Sequence, residues 1–307
     1  MTSRVHTFKY PRRRKNNVII DSHTHVWGSE HLPPEWIKDL RSKGFHRYDR
    51  IEFEQLIEDM NEAGVDKAVV LAHELQHKWS HPQPMNKYIL DGIRKYPDRL
   101  IGFAGAAPLD RYGRFNRKSF ENFEEFVVKF GFKGMKLLPI YDHYKPNDRQ
   151  VYPFYEKAVQ LKIPVLLHQS ATLTTNTPME YGRPIHLDDP VQDFPELKFI
   201  VAHLGYPWAE ELLVLMRKLP NLYADISASV LYRPSILAWN IAMAKEYKVL
   251  DRILFGTDYP VTKQKQYVDW LRNSYNPIAE KNAYPTLNQQ EIDGILGGNA
   301  AQLLGLI

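Results

Sequence analysis

The chain has 307 residues, of which 44% are hydrophobic and 25% charged, the balance of a soluble globular protein with enough length to bury one large core. It contains no cysteine, which excludes disulfides, thiolate metal sites and a cysteine nucleophile, so any metal must be held by His, Asp or Glu. The formal charge of +4 is unevenly placed: Arg4, Lys9, Arg12, Arg13, Arg14 and Lys15 carry six positive charges with no acid among residues 1–15, and without them the remainder stands at −2.

Residues 1–17 therefore read as a basic arm, and residues 18–307 as a single domain. The arm is expected to be solvated or packed on a neighbouring subunit of a homo-oligomer. Contact with nucleic acid through Arg12-Arg13-Arg14-Lys15, or with an anionic membrane, is the alternative and is not the expectation. No apolar segment follows the arm, and no run approaches ~18 apolar residues, so neither a secretory leader nor a membrane span is expected. The expected location is the cytoplasm.

No sequence repeat of fixed period is present, but short apolar runs alternate with amphipathic stretches, as parallel strands joined by helices do. In chain order, Val18 to His25 reads as a strand and Ile51 to Ala63 as a helix closed by Gly64. Lys67 to Ala72 is a strand and Asn86 to Lys95 a helix. Leu100 to Ala106 is a strand and Phe120 to Phe130 a helix. Phe132 to Leu138 is the fourth strand, with its helix over Tyr152 to Leu161. Pro164 to His168 is the fifth strand and Leu197 to His203 the sixth, with a helix over Trp208 to Leu219. Leu222 to Ser227 is the seventh, followed by a helix near Pro234 to Tyr247. Arg252 to Asp258 is the eighth, followed by a helix over Gln264 to Arg272. A last helix runs near Asn288 to Leu304, with Gly297 and Gly298 at a break. Eight strands of this kind predict an α/β chain folded as a (β/α)8 TIM barrel. A doubly wound sheet would more often show a glycine-rich phosphate loop after its first strand, where this chain has His-Thr-His.

In such a barrel, function gathers at the C-terminal ends of the strands. His23 and His25 end the first strand, His168 the fifth, His203 the sixth and Asp258 the eighth. Positions i and i+2 of a strand share a face, so His23 and His25 can reach one ion. His23, His25, His168 and Asp258 then form a shell of three nitrogens and one oxygen suited to a divalent ion. Taken singly, each residue has a bland explanation: a hydrogen-bonded loop histidine, or an aspartate capping the next helix. Those explanations would all have to hold together, each at a strand end.

Several motifs resemble the amidohydrolase superfamily, in the branch that contains aminocarboxymuconate-semialdehyde decarboxylase. They are Ile20-Asp-Ser-His-Thr-His25, Gly134-Met-Lys-Leu137 with Pro139, Val165-Leu-Leu-His168, Val201-Ala-His-Leu-Gly205, Phe255-Gly-Thr-Asp-Tyr-Pro260, Gly298-Asn-Ala300, and Tyr181-Gly-Arg-Pro184 with Asp188-Asp189. The resemblance implies one divalent ion, Zn2+ first and Mn2+ second, with His23, His25, His168 and Asp258 as ligands or near-ligands. It implies that His203 stands beside the metal, orienting water or polarising a substrate oxygen, and that Asp258 relays protons. It leaves the reaction open among hydrolysis, non-oxidative decarboxylation and hydration. Some superfamily members carboxylate a lysine where Lys136 stands; this branch generally does not.

Hydrolysis of a small ester, lactone or amide is the primary expectation, and decarboxylation of an aromatic or unsaturated carboxylic acid is the alternative. A non-catalytic binding module would leave the strand-end residues unexplained. A small substrate bearing a carboxylate would need a cation, either Lys136 or Arg183, whose guanidinium can pair bidentately. Trp27 and His73 are expected to line the pocket. His73-Glu-Leu-Gln-His77 matches the His-Glu-x-x-His pattern of zinc proteases, but that motif needs a helix, and here it directly follows a strand.

Overall fold

The computed structural model describes residues 18–43, 50–78, 84–228 and 233–307. The basic arm and its six cations lie outside the described residues, as does Pro82. Each predicted strand forms. β1 (Ile20–Thr24), β2 (Lys67–Leu71), β3 (Leu100–Gly105), β4 (Gly134–Leu137), β5 (Val165–Leu167), β6 (Phe199–Val201), β7 (Leu222–Asp225) and β8 (Ile253–Leu254) lie side by side in sequence order. Every neighbouring pair is parallel. The chain beyond β8 completes the ring against β1. Ser22 N–H donates to the Phe255 carbonyl at 2.9 Å, Asp258 N–H to the His23 carbonyl at 2.8 Å and His25 N–H to the Tyr259 carbonyl at 2.8 Å. The result is a (β/α)8 barrel.

Alternation along the strands sorts the core into two parts. Ile20, Val69, Leu71, Phe103, Leu166, Ile200 and Leu254 cluster inside the barrel. Their neighbours in sequence, among them Ala68, Val70, Val165, Leu167, Phe199 and Val201, pack outward against the helices. The helices begin and end close to expectation, including Phe53–Ala63, whose C-cap Gly64 takes the left-handed conformation (φ 67°), and Tyr152–Leu161. Four short helices were not expected: Pro34–Ser42, Pro139–Asp142, Asp188–Asp193 and Tyr275–Lys281.

The expected break near Gly297 and Gly298 is a π-helical turn, Gly294–Gly298, between the helices Gln289–Asp293 and Asn299–Leu303. There the backbone comes against β1, and a Cβ on Gly297 would lie 2.0 Å from the Val18 carbonyl oxygen. Ala300 and Ala301 follow and fill the lower barrel interior. No helix among the described residues is long and apolar enough to cross a membrane.

Candidate metal centre

A β-bulge decides where the two histidines of β1 point. Asp21 pairs with Ala68 and Thr24 with Val70, so three steps on β1 oppose two on β2. Simple alternation from the inward-facing Ile20 would send Ser22 and Thr24 inward and both histidines out. The extra residue shifts the parity, so that His23 and His25 face the barrel interior. The bulge is tied down by Asp21, whose carboxylate accepts from Thr257 Oγ1 (2.6 Å), Thr257 N–H (3.0 Å) and His23 N–H (3.2 Å). Burial pushes the Asp21 carboxyl up to about 7 against these hydrogen bonds.

His23 Nε2 and His25 Nε2 lie 3.1 Å apart. Asp258 Oδ1 is 3.4 Å from the first and 3.2 Å from the second. Ligand atoms about 2.0–2.2 Å from a shared ion stand about 3–3.5 Å from one another, so the separations fit a common divalent ion. The proton positions fit as well. His23 Nδ1 donates to Asp225 Oδ2 at 2.8 Å, and His25 Nδ1 approaches the Leu71 carbonyl at 3.3 Å. A carboxylate and a carbonyl only accept, so each Nδ1 carries the proton and each Nε2 turns a lone pair toward the other. Two facing lone pairs beside a carboxylate are a donor set that a cation satisfies.

Burial sets the charge state of these groups. It pushes His23 down to about 3, only partly offset by Asp225, so the imidazole is neutral. Burial works against the Asp225 carboxylate too, but His23 and the hydrogen bond from Ser227 hold it ionised, below the usual carboxylate range. Burial works against the Asp258 carboxylate as well, but positive charge arriving on His203, His25 or His23 would favour its ionised form more strongly, and this shifts it well below that range. Its backbone lies in the left-handed region (φ 57°), an unusual conformation for a residue with a side chain. A Cβ on neighbouring Gly256 would stand 2.9 Å from His23 Cβ, so only glycine lets this segment pass so close to β1.

His203 sits in the turn Ala202–Gly205 just past β6, also left-handed (φ 58°). Its ring stacks on His23 (centroids 4.9 Å) and meets His168 edge-on (4.7 Å). Its backbone N–H is held by Asp225 Oδ1 at 3.0 Å, and its Nδ1 by Ser227 Oγ at 2.6 Å. Ser227 in turn donates to Asp225, so it accepts from His203 Nδ1–H and leaves Nε2 with a lone pair. Burial lowers the His203 pKa and keeps the ring neutral. His168 borders the same cavity with its pKa pushed well down by burial, but it does not join the tight His23, His25, Asp258 group. Its Nε2 lies 3.4 Å from the Ala171 carbonyl.

Above this cluster opens a cavity of about 510 Å3. Trp27, Trp36, Tyr141 and Tyr206 supply aromatic walls, and His25, His73, His168, His203 and Asp258 border it. Part of the roof is clasped shut. Asp39, on the helix Pro34–Ser42, accepts from Thr175 N–H (2.9 Å) and Thr175 Oγ1 (2.7 Å) in the loop after β5. Lys43 bonds to Asp39, to Thr175 Oγ1 at 2.9 Å and to the Leu173 carbonyl.

Trp27 and His73 both border the cavity, and the His73 ring lies 4.3 Å from that of His25. The segment His73 to His77 is not helical. Glu74 turns away to accept from the N–H groups of Met85 and Asn86, and His77 Nδ1 approaches the Asp110 carbonyl. Neither of the two expected substrate cations is among the described residues that line the cavity. Arg183 pairs with Glu211 (Nη2–Oε2 2.6 Å), which fixes the loop between β5 and β6. Lys136, on an inward-facing position of β4, is buried at 1% exposure below the cavity, and its Nζ has no hydrogen-bond partner among the described residues. Burial pushes this ammonium down to about 8, against the pull of Asp225 and Asp258. Sequence reasoning missed Asp225, although an acid closing an otherwise apolar strand was a visible signal. It also missed Arg233, which borders the cavity just after β7.

A curated 2-keto-4-carboxy-3-hexenedioate hydratase from Sphingobium sp. SYK-6 is 29% identical over 163 residues, a stretch that covers 46% of this chain and 46% of the relative. Among solved structures, an uncharacterized TIM-barrel protein from Bordetella bronchiseptica superposes with a TM-score of 0.71 at 21% identity, covering 94% of this chain and 98% of that one. A dihydroxybenzoic acid decarboxylase from Polaromonas sp. JS666, solved with manganese and the inhibitor 2-nitroresorcinol, gives 0.68 at 18% identity, covering 94% and 97%. The amidohydrolase family pattern spans residues 20–306, and the chain belongs to that family.

Proposed function

We propose that this chain is a metal-dependent enzyme that hydrolyses a small ester, lactone or amide carrying a carboxylate. The observation that carries the proposal is the gathering of His23 Nε2, His25 Nε2 and Asp258 Oδ1 within 3.1–3.4 Å beneath an aromatic-walled cavity. In this reading His23, His25 and Asp258 hold one ion, His168 completes the shell from the cavity side, and Zn2+ is the first choice for such a nitrogen-rich set. Mn2+ is the second, supported by the manganese in the decarboxylase neighbour. Such an ion supplies Lewis acidity, which activates water at neutral pH and polarises a substrate oxygen. Asp258, ionised and partly exposed to the cavity, accepts the proton of the attacking water and returns it to the leaving group. His203, neutral with Nδ1 fixed by Ser227, offers Nε2 to a water or substrate hydroxyl. His73 and Trp27 shape the cavity wall beside His25.

Decarboxylation is the second reading. The aromatic walls of Trp27, Trp36, Tyr141 and Tyr206 favour it, because they suit a flat unsaturated ring, and such a reaction would use the protonated form of Asp258 to deliver a proton to carbon. A panel of lactones and hydroxybenzoates, scored for 18O incorporation from water against CO2 release, separates the two. Elemental analysis tests what they share. Wild-type protein is expected to hold about one divalent ion per chain, and His25→Ala to lose it while keeping the fold. Equal metal content in the two proteins would overturn the ligand assignment.

A further inference from the structure

We propose that Arg233, braced on Tyr206, is the specificity residue of the cavity and selects a flat substrate bearing a single carboxylate remote from the metal centre. Among the described residues that border the cavity, Arg233 is the one lysine or arginine. Its guanidinium carbon lies 3.3 Å from the centre of the Tyr206 ring. Stacking covers one face of the guanidinium and leaves its N–H groups directed in the plane, where a carboxylate takes two of them side by side. Bracing also removes rotamer freedom before the ligand arrives, so less entropy is lost on binding.

The rest of the lining sets the body of the substrate. Leu32, Trp36, Tyr141 and Leu173 present apolar surface, which suits a planar ring. A second carboxylate on that ring would be desolvated against these walls, with no second lysine or arginine among the described lining residues to meet it. Arg183 and Lys136 cannot supply one, since the first is paired with Glu211 and neither borders the cavity. The inference rests on the metal-enzyme reading for the other end of the substrate, which faces His25, His203 and Asp258.

The test uses metal-replete full-length protein and three probes: 4-hydroxybenzoate, the uncharged 4-hydroxybenzamide of the same shape, and 5-hydroxyisophthalate with two carboxylates. Calorimetric titration of wild type is expected to show the benzoate bound about tenfold to a hundredfold more tightly than the amide, the range for a charge-assisted pair. The dicarboxylate is expected to bind at least as weakly as the amide. Arg233→Met should bring the acid-to-amide ratio close to one without changing metal content. Arg233→Lys keeps the charge but not the fork and should cut the ratio severalfold; it serves if the methionine variant fails to fold. A ratio unchanged by these variants, or a dicarboxylate bound as tightly as the monoacid, would overturn the proposal. Failure of the metal reading would look different: no bound ion in wild type, with the acid-to-amide ratio still dependent on Arg233.

Discussion

His23 shows why a His-x-His on paper becomes a site only through its partners. Its Nε2 is useful as a ligand because Asp225 takes the proton on Nδ1, and Asp225 also holds the backbone of His203 and bonds with Ser227. One buried carboxylate thus orients groups from β1, β6 and β7. Asp225→Asn keeps an acceptor oxygen but loses the charge that raises the basicity of His23. Metal affinity is expected to fall about 10–100-fold, read by competition with a chromogenic chelator, with little change in far-UV circular dichroism. Unchanged affinity would mean that Asp225 only packs. The histidines were legible in the sequence because strand periodicity puts i and i+2 on one face. Asp225 was visible as an acid closing an apolar strand, but its partnership with His23 was not, since no spacing along the chain ties it to a histidine two hundred residues earlier. The pairing of Arg183 was hidden for the same reason: its charge was visible but its partner Glu211 was not.

At the scale of elements, local pattern explains most of the strands and helices, and the exceptions are where tertiary contacts intervene. The strands are shorter than their apolar runs, because the chain leaves the ladder at the barrel mouth. His168, His203 and Asp258 therefore stand just beyond β5, β6 and β8 rather than within them. The bulge in β1 is invisible to periodicity, yet it turns both histidines inward. The connection after β2 is a further case. The helix Met85–Lys95 lacks a side-chain cap from its own N-cap residue Pro84, and Glu74 serves its first N–H groups from eleven residues upstream. Burial pushes the Glu74 carboxyl up from 4.5 to about 7 against those two hydrogen bonds. Between these values the folded state binds more protons than the unfolded one, so this group's contribution to stability falls as pH rises from about 4.5 to about 7, then levels off. Glu74→Gln keeps the acceptor and removes the charge. The variant is expected to gain about 1–3 kcal/mol on wild type between pH 5 and pH 8 in urea denaturation. A difference between the two proteins that does not change with pH would exclude the burial effect.

At the scale of the whole molecule, eight apolar runs in regular alternation with helices were enough to predict a barrel, since sequence order is also spatial order in this fold. How the barrel closes was not legible. The seam between β8 and β1 is made by residues 255–259 running beside β1, and the floor by the C-terminal segment that carries Gly297, Ala300 and Ala301. The two ends of the described domain thus meet at the face opposite the His23, His25 and Asp258 cluster, and the meeting depends on backbone approaching backbone. Gly297→Ala would set a methyl group 2.0 Å from the Val18 carbonyl oxygen and 2.9 Å from the Ile20 amide nitrogen, where no flexible side chain can yield. The C-terminal segment must then back away from β1 and loosen the packing of Ala300 and Ala301 in the barrel. The expected cost is on the order of 2–4 kcal/mol, a drop of several degrees in Tm by differential scanning calorimetry. The proposed metal centre lies at the other end of the barrel, so below the transition the variant should hold as much divalent metal as wild type. Loss of metal in step with stability would instead show that floor and mouth are coupled through β1, whose Ile20 borders the one and whose His23 borders the other.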